Sequence, residues 1–383
     1  MTVKALHLVR NNFVSDSRIL KETRSLMERG VTEQIEIVAL SDGELAEHET
    51  LSPGRTVWRV PLASRARLPK DLLSQSVKYA EWAARIIGRH KGYPWDVIHC
   101  HDLAPLPIAA MLAKRTGARL IYDAHELETE VLGLGGTRQL LSRRVERHFI
   151  QKADAIITVS PSIQAWYRET YPGLSVSMVR NVPYKAADSV LQPYPWRAEL
   201  GVPDEAKLFI YVGNFASGRG IPLLLDVFTR ADCRHHVLFM GSGGLESQVR
   251  RAAQECSRVH FHPPVPMAEV VGRVAGADIG VSLLEDTCLN HRYALPNKFF
   301  ECLQGGVPVV VSDLLDQRNI ITETGAGWVT AHAGDVFATV VNTIDETDYQ
   351  RKRIAARKLA ETIDWNNEAE QLVEVYRCLA PQA

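Results

Sequence analysis

The segment at 296–312, PNKFFECLQGGVPVVVS, brings a proline, a lysine and a glutamate to the start of one helix. Pro296 suits a first helical turn, because its φ is already set and its missing N–H would have no partner there. The free N–H groups that open a helix attract phosphate, and Lys298 adds a cation beside them. Glu301, one turn further in, suits the hydroxyls of a ribose. The plain alternative is a surface helix with a solvated lysine and glutamate. A second segment, YVGNFASGRG at 211–220, ends a strand at Gly213 and opens the next helix at Arg219-Gly220. Glycine lets a ligand approach the backbone, and an arginine fork can hold phosphate through two N–H groups. The spacing is not G-x-x-x-x-G-K-S/T, which argues against a P-loop.

Three other segments place polar groups after strands. YDAHE at 122–126 puts His125 where it can hydrogen-bond a substrate. RNNFVSDSR at 10–18 stands where dinucleotide-binding folds carry G-x-G-x-x-G, and that motif is missing, which argues against an NAD enzyme. His99-Cys100-His101-Asp102 puts two histidines on one face of a strand. Without partners at zinc spacing they make a weak metal site. No Asp-x-Asp pair occurs to chelate a metal diphosphate, and the expectation is no metal and no cofactor.

These groups need strands to end beneath them. Apolar runs at 5–9, 35–40, 97–100, 120–122 and 155–158 predict buried strands, with helical periodicity at 17–29, 71–89, 106–115 and 138–151. The pattern pauses over 180–196, a proline-containing linker candidate. It restarts with strands at 208–212, 236–240, 259–261, 279–282 and 307–312. Helices are expected at 223–229, 245–255, 266–275, 298–303 and 335–344, and 288–295 reads as an irregular loop. The tail, 349–379, reads as helical with a break near 364–365. Strand–helix alternation predicts α/β domains with parallel, doubly wound sheets. Ligands bind outside the carboxyl ends of such strands.

The chain has 383 residues, enough for two domains. Hydrophobic residues make up 46% and charged residues 23%, the mix of a soluble globular protein. A formal net charge of -1 gives no global field towards nucleic acid. Six separated cysteines without a C-x-x-C pair suit a reduced, cytoplasmic setting. No apolar run reaches the length of a membrane span. The basic stretch at 138–152, RQLLSRRVERHFIQK, is either a packed helix with a solvated face or a peripheral contact with anionic lipid at the inner face of a membrane.

Taken in order, these segments resemble the family 4 retaining glycosyltransferases of the GT-B fold, over nearly the whole chain. YVGNFASGRGIPLLLDVF looks like the donor-phosphate loop, VHFHPPVPMAEVVGRVAGADIGVSLL the base-binding region, and LPNKFFECLQGGVPVVVSD the ribose and phosphate helix. DSRILKETRSLMERG, DVIHCHD, IYDAHE and ADAIITVSPSI resemble segments of the first half. The resemblance implies two facing Rossmann-like domains, 1–183 and 184–364, with the last helix crossing back so that 365–383 completes the first. It implies a nucleotide-sugar donor, UDP-linked by expectation, with a hexose moved to a carbohydrate or lipid-linked acceptor in polysaccharide, glycolipid or glycoconjugate synthesis.

Carried over, Glu301 would bind ribose, while Arg219 and Lys298 would neutralise the diphosphate. Gly213, Asn214, Pro296 and Asn297 would line it, Phe261 and Val265 would flank the base, and Asn290 would reach the sugar. His125 would contact the donor sugar and serve catalysis with Arg219 and Lys298. Asn12, Ser15, Asp16 and Arg18 would lie on the acceptor side. Two departures stand out. Tyr293 occupies the place of the family's first glutamate, and Arg219 the place of a lysine. Rival readings are another GT-B enzyme, such as an epimerase or a phosphorylase, and a nucleotide-sugar-binding subunit without catalysis.

Overall fold

The computed structural model describes residues 2–14, 16–69, 71–185 and 193–379. The chain forms two compact units, Met1–Val179 with Ala369–Ala383, and Arg180–Glu368.

The first unit is built on an eight-stranded sheet. Its strands are β1 (Val3–Leu8), β2 (Thr32–Leu40), β3 (His48–Ser52), β4 (Arg55–Val60), β5 (Val97–His101), β6 (Arg119–Ala124), β7 (Ala155–Thr158) and β8 (Val176–Met178). Their order is β3-β4-β2-β1-β5-β6-β7-β8. All neighbours are parallel except β3 and β4. The chain runs outward from β1 in one direction, then returns and continues from β5 in the other. The carboxyl ends of β1 and β5 therefore flank a topological switch point, where doubly wound sheets bind ligands.

Burial explains which strands were legible. β5 and β7 are buried along their whole length, and only Lys4 of β1 is not. Such strands read as continuous apolar runs. The β3–β4 hairpin was not anticipated. β3, HETLS, is a polar edge strand whose first three residues are exposed, so it carries no apolar signal. Three-residue β8 is too short to show a period.

The second unit has six strands, β9 (Leu208–Asn214), β10 (His236–Ser242), β11 (Val259–His262), β12 (Ile279–Ser282), β13 (Val309–Ser312) and β14 (Gly327–Thr330). All are parallel, in the order β11-β10-β9-β12-β13-β14. Here the switch point lies between β9 and β12. Phe209, Tyr211, Phe215, Phe228 and Phe239 fill the core on one side of this sheet. Residues 288–295, expected as irregular loop, contain a single helical turn, Leu289–Arg292. The Cys288 thiol accepts from the His291 N–H at its start. A four-residue turn without apolar periodicity gives no sequence signal.

The tail forms helices Glu346–Ala360 and Trp365–Leu379. They are separated at residues 361–364, beside the expected break. From Ala369 onward the last helix belongs to the first unit, where Leu372, Val373 and Tyr376 are fully buried. Among the described residues no helix is long and apolar enough to cross a membrane.

Candidate functional site

At the switch point of the second unit, β9 ends in Gly213 and Asn214, both exposed. Gly213 has φ +111, a conformation that side chains rarely adopt, and open space where a Cβ would stand. The loop beyond it closes on β12 through Gly220. A Cβ there would lie 2.6 Å from the Leu283 Cβ, and φ is +74. Gly220 opens the helix Ile221–Thr229 without a side-chain cap. The Glu285 N–H donates to the Gly218 carbonyl, fixing the same loop from the other strand. Arg219 is half-buried within this turn.

The helix Asn297–Gln304 starts at Pro296 and has no side-chain cap. Asn297 is exposed and accepts from the Asn181 amide at 3.0 Å. Glu301 is half-buried one turn further in. Lys298 turns inward. Only 5% of it is exposed, and its Nζ sits 3.4 Å from the centroid of the Tyr211 ring. Among the described residues Nζ has no hydrogen-bond partner. Burial, reinforced by the charge of Arg219, holds the Lys298 amine well below the ordinary lysine range. The Tyr211 hydroxyl donates to the Asn214 carbonyl at 2.9 Å, so the ring beneath the ammonium is itself locked to the end of β9.

The remaining expected donor groups lie on β11, in the loop after it, and in the turn Leu289–Arg292. Phe261 lies on β11, half-buried, with the Arg250 guanidinium carbon 3.9 Å from its ring centroid. Val265 follows in the next loop, half-buried. Asn290 and His291 are buried in the short turn Leu289–Arg292. Tyr293 caps that turn and is half-buried.

The first unit has its own polar centre, at the carboxyl ends of β1, β5 and β6. The Arg18 Nε and Nη2 donate to the two oxygens of Asp123, at 3.0 and 2.9 Å, while Nη1 donates to the Val179 carbonyl. Glu22 lies 2.9 Å from the Arg18 Nε. Arg18, Glu22 and Asp123 are all buried. Burial alone would raise the Asp123 carboxyl, but Arg18 and His125 outweigh it and hold it well below the usual carboxylate range. Asp102 adopts a left-handed φ of 66°, and its Oδ1 accepts from the His125 backbone N–H at 3.1 Å. The His125 ring lies 3.2 Å from Asp123 and 3.7 Å from Asp102, with 19% of its side chain exposed. Burial opposes its charge, yet the two carboxylates prevail and push its pKa up to about 10.

Of the residues expected on the acceptor side, Arg18 turns inward, with its donors on Asp123 and Val179. Asp16 caps the helix Ser17–Glu28 through the Ile19 N–H. Asn12 is held by Asp42 at 2.8 Å. Ser15 lies outside the described residues. Lys298 is a buried amine, so the solvated lysine of the plain alternative is not what the fold shows. Sequence reading passed over His7, Glu22, Tyr211 and Tyr376. A pairing signal was present: His7 and His99 are in register on adjacent strands, which puts HxH of β5 and the histidine of β1 on one face.

Residues 17–181 match the glycosyl transferase 4-like domain family, and residues 206–346 match the family glycosyl transferases group 1. A D-inositol 3-phosphate glycosyltransferase of Corynebacterium urealyticum is 26% identical over 76% of this chain and 73% of its own length. The sucrose-phosphate synthase of Thermosynechococcus elongatus superposes with a TM-score of 0.79 at 16% identity, covering 98% of this chain and 99% of that one. HepE of Anabaena, solved in complex with UDP-glucose, gives a TM-score of 0.72 at 16% identity, over 98% of this chain and 100% of that one.

Proposed function

The chain belongs to the family 4 glycosyltransferases of the GT-B fold, and on that premise we propose that it moves a hexose from a UDP-sugar to a carbohydrate or lipid-linked acceptor, with retention at the anomeric carbon and without a metal. The observation that carries the donor assignment is Lys298. Among the described residues its buried amine has no hydrogen-bond partner, and the helix it belongs to starts without a side-chain cap, a combination that suits an anion. A diphosphate satisfies the amine and the helix N–H groups together. Arg219 adds its fork from the neighbouring loop, and Gly213 leaves room for the donor at the end of β9. Glu301 takes the ribose hydroxyls, and the loop after β11, with Phe261 and Val265, takes the base. The UDP-glucose held by HepE supports a uridine donor.

In this reading the C1–O bond to the diphosphate breaks while the acceptor oxygen bonds C1 from the same face. The acceptor's proton passes to the departing phosphate oxygen. Negative charge grows on the leaving group, where fixed cations and oriented N–H groups act most strongly. His125 contacts the donor sugar. The helix Gly136–Ile150 exposes Leu140 and Leu141, 49% and 62%, beside exposed Arg138, Arg144 and Arg147. That combination suits a cytoplasmic enzyme resting on anionic lipid. Glu301→Ala tests the donor site. Loss of charge-assisted hydrogen bonds worth about 1.5–3 kcal/mol lowers affinity for UDP and UDP-sugar together, by roughly 10- to 150-fold. Unchanged UDP affinity in a folded variant refutes the assignment.

A further inference from the structure

The helix Asn297–Gln304 starts without a side-chain cap, so its place in the unit has to be set by tertiary contacts. Residues 180–181 and 363 meet it at three points. At its start, the side-chain amides of Asn297 and Asn181 pair at 3.0 Å. In its middle, the Arg180 guanidinium carbon lies 5.8 Å from the centroid of the Phe300 ring, within reach of a cation–π contact. At its end, the buried Gln304 amide donates to the Ile363 carbonyl at 3.2 Å.

Residues 180–185 and 363–364 are irregular backbone, and they lie where the chain passes between its units, at 179/180 and 368/369. What holds the two segments is each other. The Arg180 backbone N–H donates to the Glu368 Oε2 at 2.8 Å, and the Arg180 Nε donates to Oε1 at 2.9 Å. The Trp365 N–H donates to the Pro183 carbonyl at 2.9 Å, and the Lys185 N–H to the Asp364 Oδ1 at 3.1 Å. As the first segment advances from 180 to 185 its partners step back from 368 to 364, so the two run antiparallel. In each rung an N–H donates and a carboxylate or carbonyl accepts, so the pairing holds in one sense only.

Arg180 is the first residue of the second unit and Glu368 the last, and their bond closes that unit at both of its chain ends. The Glu368 carboxylate is buried, and Arg180 occupies both of its oxygens. A carboxylate out of water needs such a partner. Glu368 also stands in the first turn of the last helix, Trp365–Leu379, whose remainder from Ala369 belongs to the first unit. The Asp364 Oδ1 accepts from the Asn366 N–H as well, so one carboxylate serves both the start of that helix and Lys185.

We propose that the Arg180–Glu368 pair is a clasp that seats the helix Asn297–Gln304 and links a nucleotide at its start to the two segments by which the chain enters and leaves the unit. Arg180, Asn181 and Glu368 are positioning residues, acting through the helix rather than on the donor. The inference rests on the reading that the diphosphate binds at the helix start. A bound diphosphate draws the first helical N–H groups and Lys298 onto its oxygens. A helix of eight residues moves as one piece, so its contacts with Asn181, Arg180 and Ile363 are stiffened together. The coupling is reciprocal, and loosening the clasp weakens the nucleotide.

Hydrogen–deuterium exchange of the full chain with and without UDP tests the clasp. UDP should slow exchange over 297–304, and also over 181–185 and 363–368. Glu368→Gln keeps the size of the side chain and one acceptor oxygen while removing the charge. Removing Arg180 instead would strand a buried carboxylate and endanger the fold. In Glu368→Gln, checked for folding by circular dichroism, UDP should still protect 297–304 but no longer 181–185 and 363–368. Its dissociation constant should rise about fivefold, the low end of such couplings. Asn181→Ala spares the ion pair and should lose the protection of 181–185. In the natural chain, protection of 297–304 without any over 181–185 and 363–368 overturns the clasp and leaves the donor site standing. So does native protection by UDP in both folded variants. UDP that leaves 297–304 unprotected refutes the donor site itself, and the clasp with it.

Discussion

Replacing Lys298 by methionine should strengthen the free protein and weaken its grip on UDP, two effects of opposite sign from one side chain. The free site holds an amine that is 5% exposed and, among the described residues, lacks a hydrogen-bond partner. Leaving a buried amine without a hydrogen bond costs about 1–3 kcal/mol. Methionine keeps the length of the side chain, so the net gain is about 1–2 kcal/mol, or roughly 2–8 °C for a unit of this size. With UDP the balance reverses. An ammonium about 4 Å from a phosphate charge gains about 4 kcal/mol at an effective dielectric of 20. Part of this is used to restore the proton that burial disfavours, leaving about 2–3 kcal/mol, an affinity loss of roughly 30- to 150-fold. The proton leaves a further signature. Because the free amine lies well below the lysine range and a diphosphate raises it, binding takes up a proton. Affinity therefore falls as pH rises between the free and bound values. Calorimetry of UDP in buffers of different ionisation heat should show proton uptake in the natural chain and none from this site in Lys298→Met. A destabilised variant with unchanged UDP affinity would show that Lys298 is only a packing element.

Three further outcomes follow from the geometry. Gly220→Ala forces a Cβ to within 2.6 Å of Leu283 at positive φ, so it should lower stability by about 1–3 kcal/mol and loosen donor binding; a thermal melt and UDP titration indistinguishable from the natural chain would contradict the close approach. His125 has its pKa raised to about 10 in the fold, so its contribution to stability is complete below about 6.5 and is lost as pH rises through about 10; His125→Gln should flatten that alkaline loss in urea unfolding. Sedimentation with anionic vesicles should drop when Leu141 and Arg144 are replaced by serine and glutamate, and equal binding of both proteins would exclude the helix Gly136–Ile150 as the lipid contact.

Much of this was legible because parallel strands buried on both faces spell out continuous apolar runs, and because the carboxyl ends of such strands are where ligands gather. Gly213, Arg219, Lys298 and Glu301 stand out from a loop and a helix start that follow strands, and their roles are what the family resemblance implies. Local sequence does not show which way a side chain turns. Lys298 is expected at the diphosphate and Arg18 on the acceptor side, and the burial of both, one over Tyr211 and the other against Asp123, is not visible in the sequence. The contact between Tyr376 and His7 was hidden by separation, since the two lie 369 positions apart. The single turn at Leu289–Arg292 and the polar hairpin strand β3 were missed because neither has a length or period that composition reveals.

The most direct test of the central claim is a crystal structure of the protein with UDP, grown in the presence of a chelator. The account predicts the diphosphate at the start of the helix Asn297–Gln304, bonded by the Lys298 ammonium and the Arg219 fork, with both ribose hydroxyls on Glu301 and the base beside the loop after β11. UDP bound away from Lys298 and Glu301, or bound there only when a divalent ion is supplied, would contradict it.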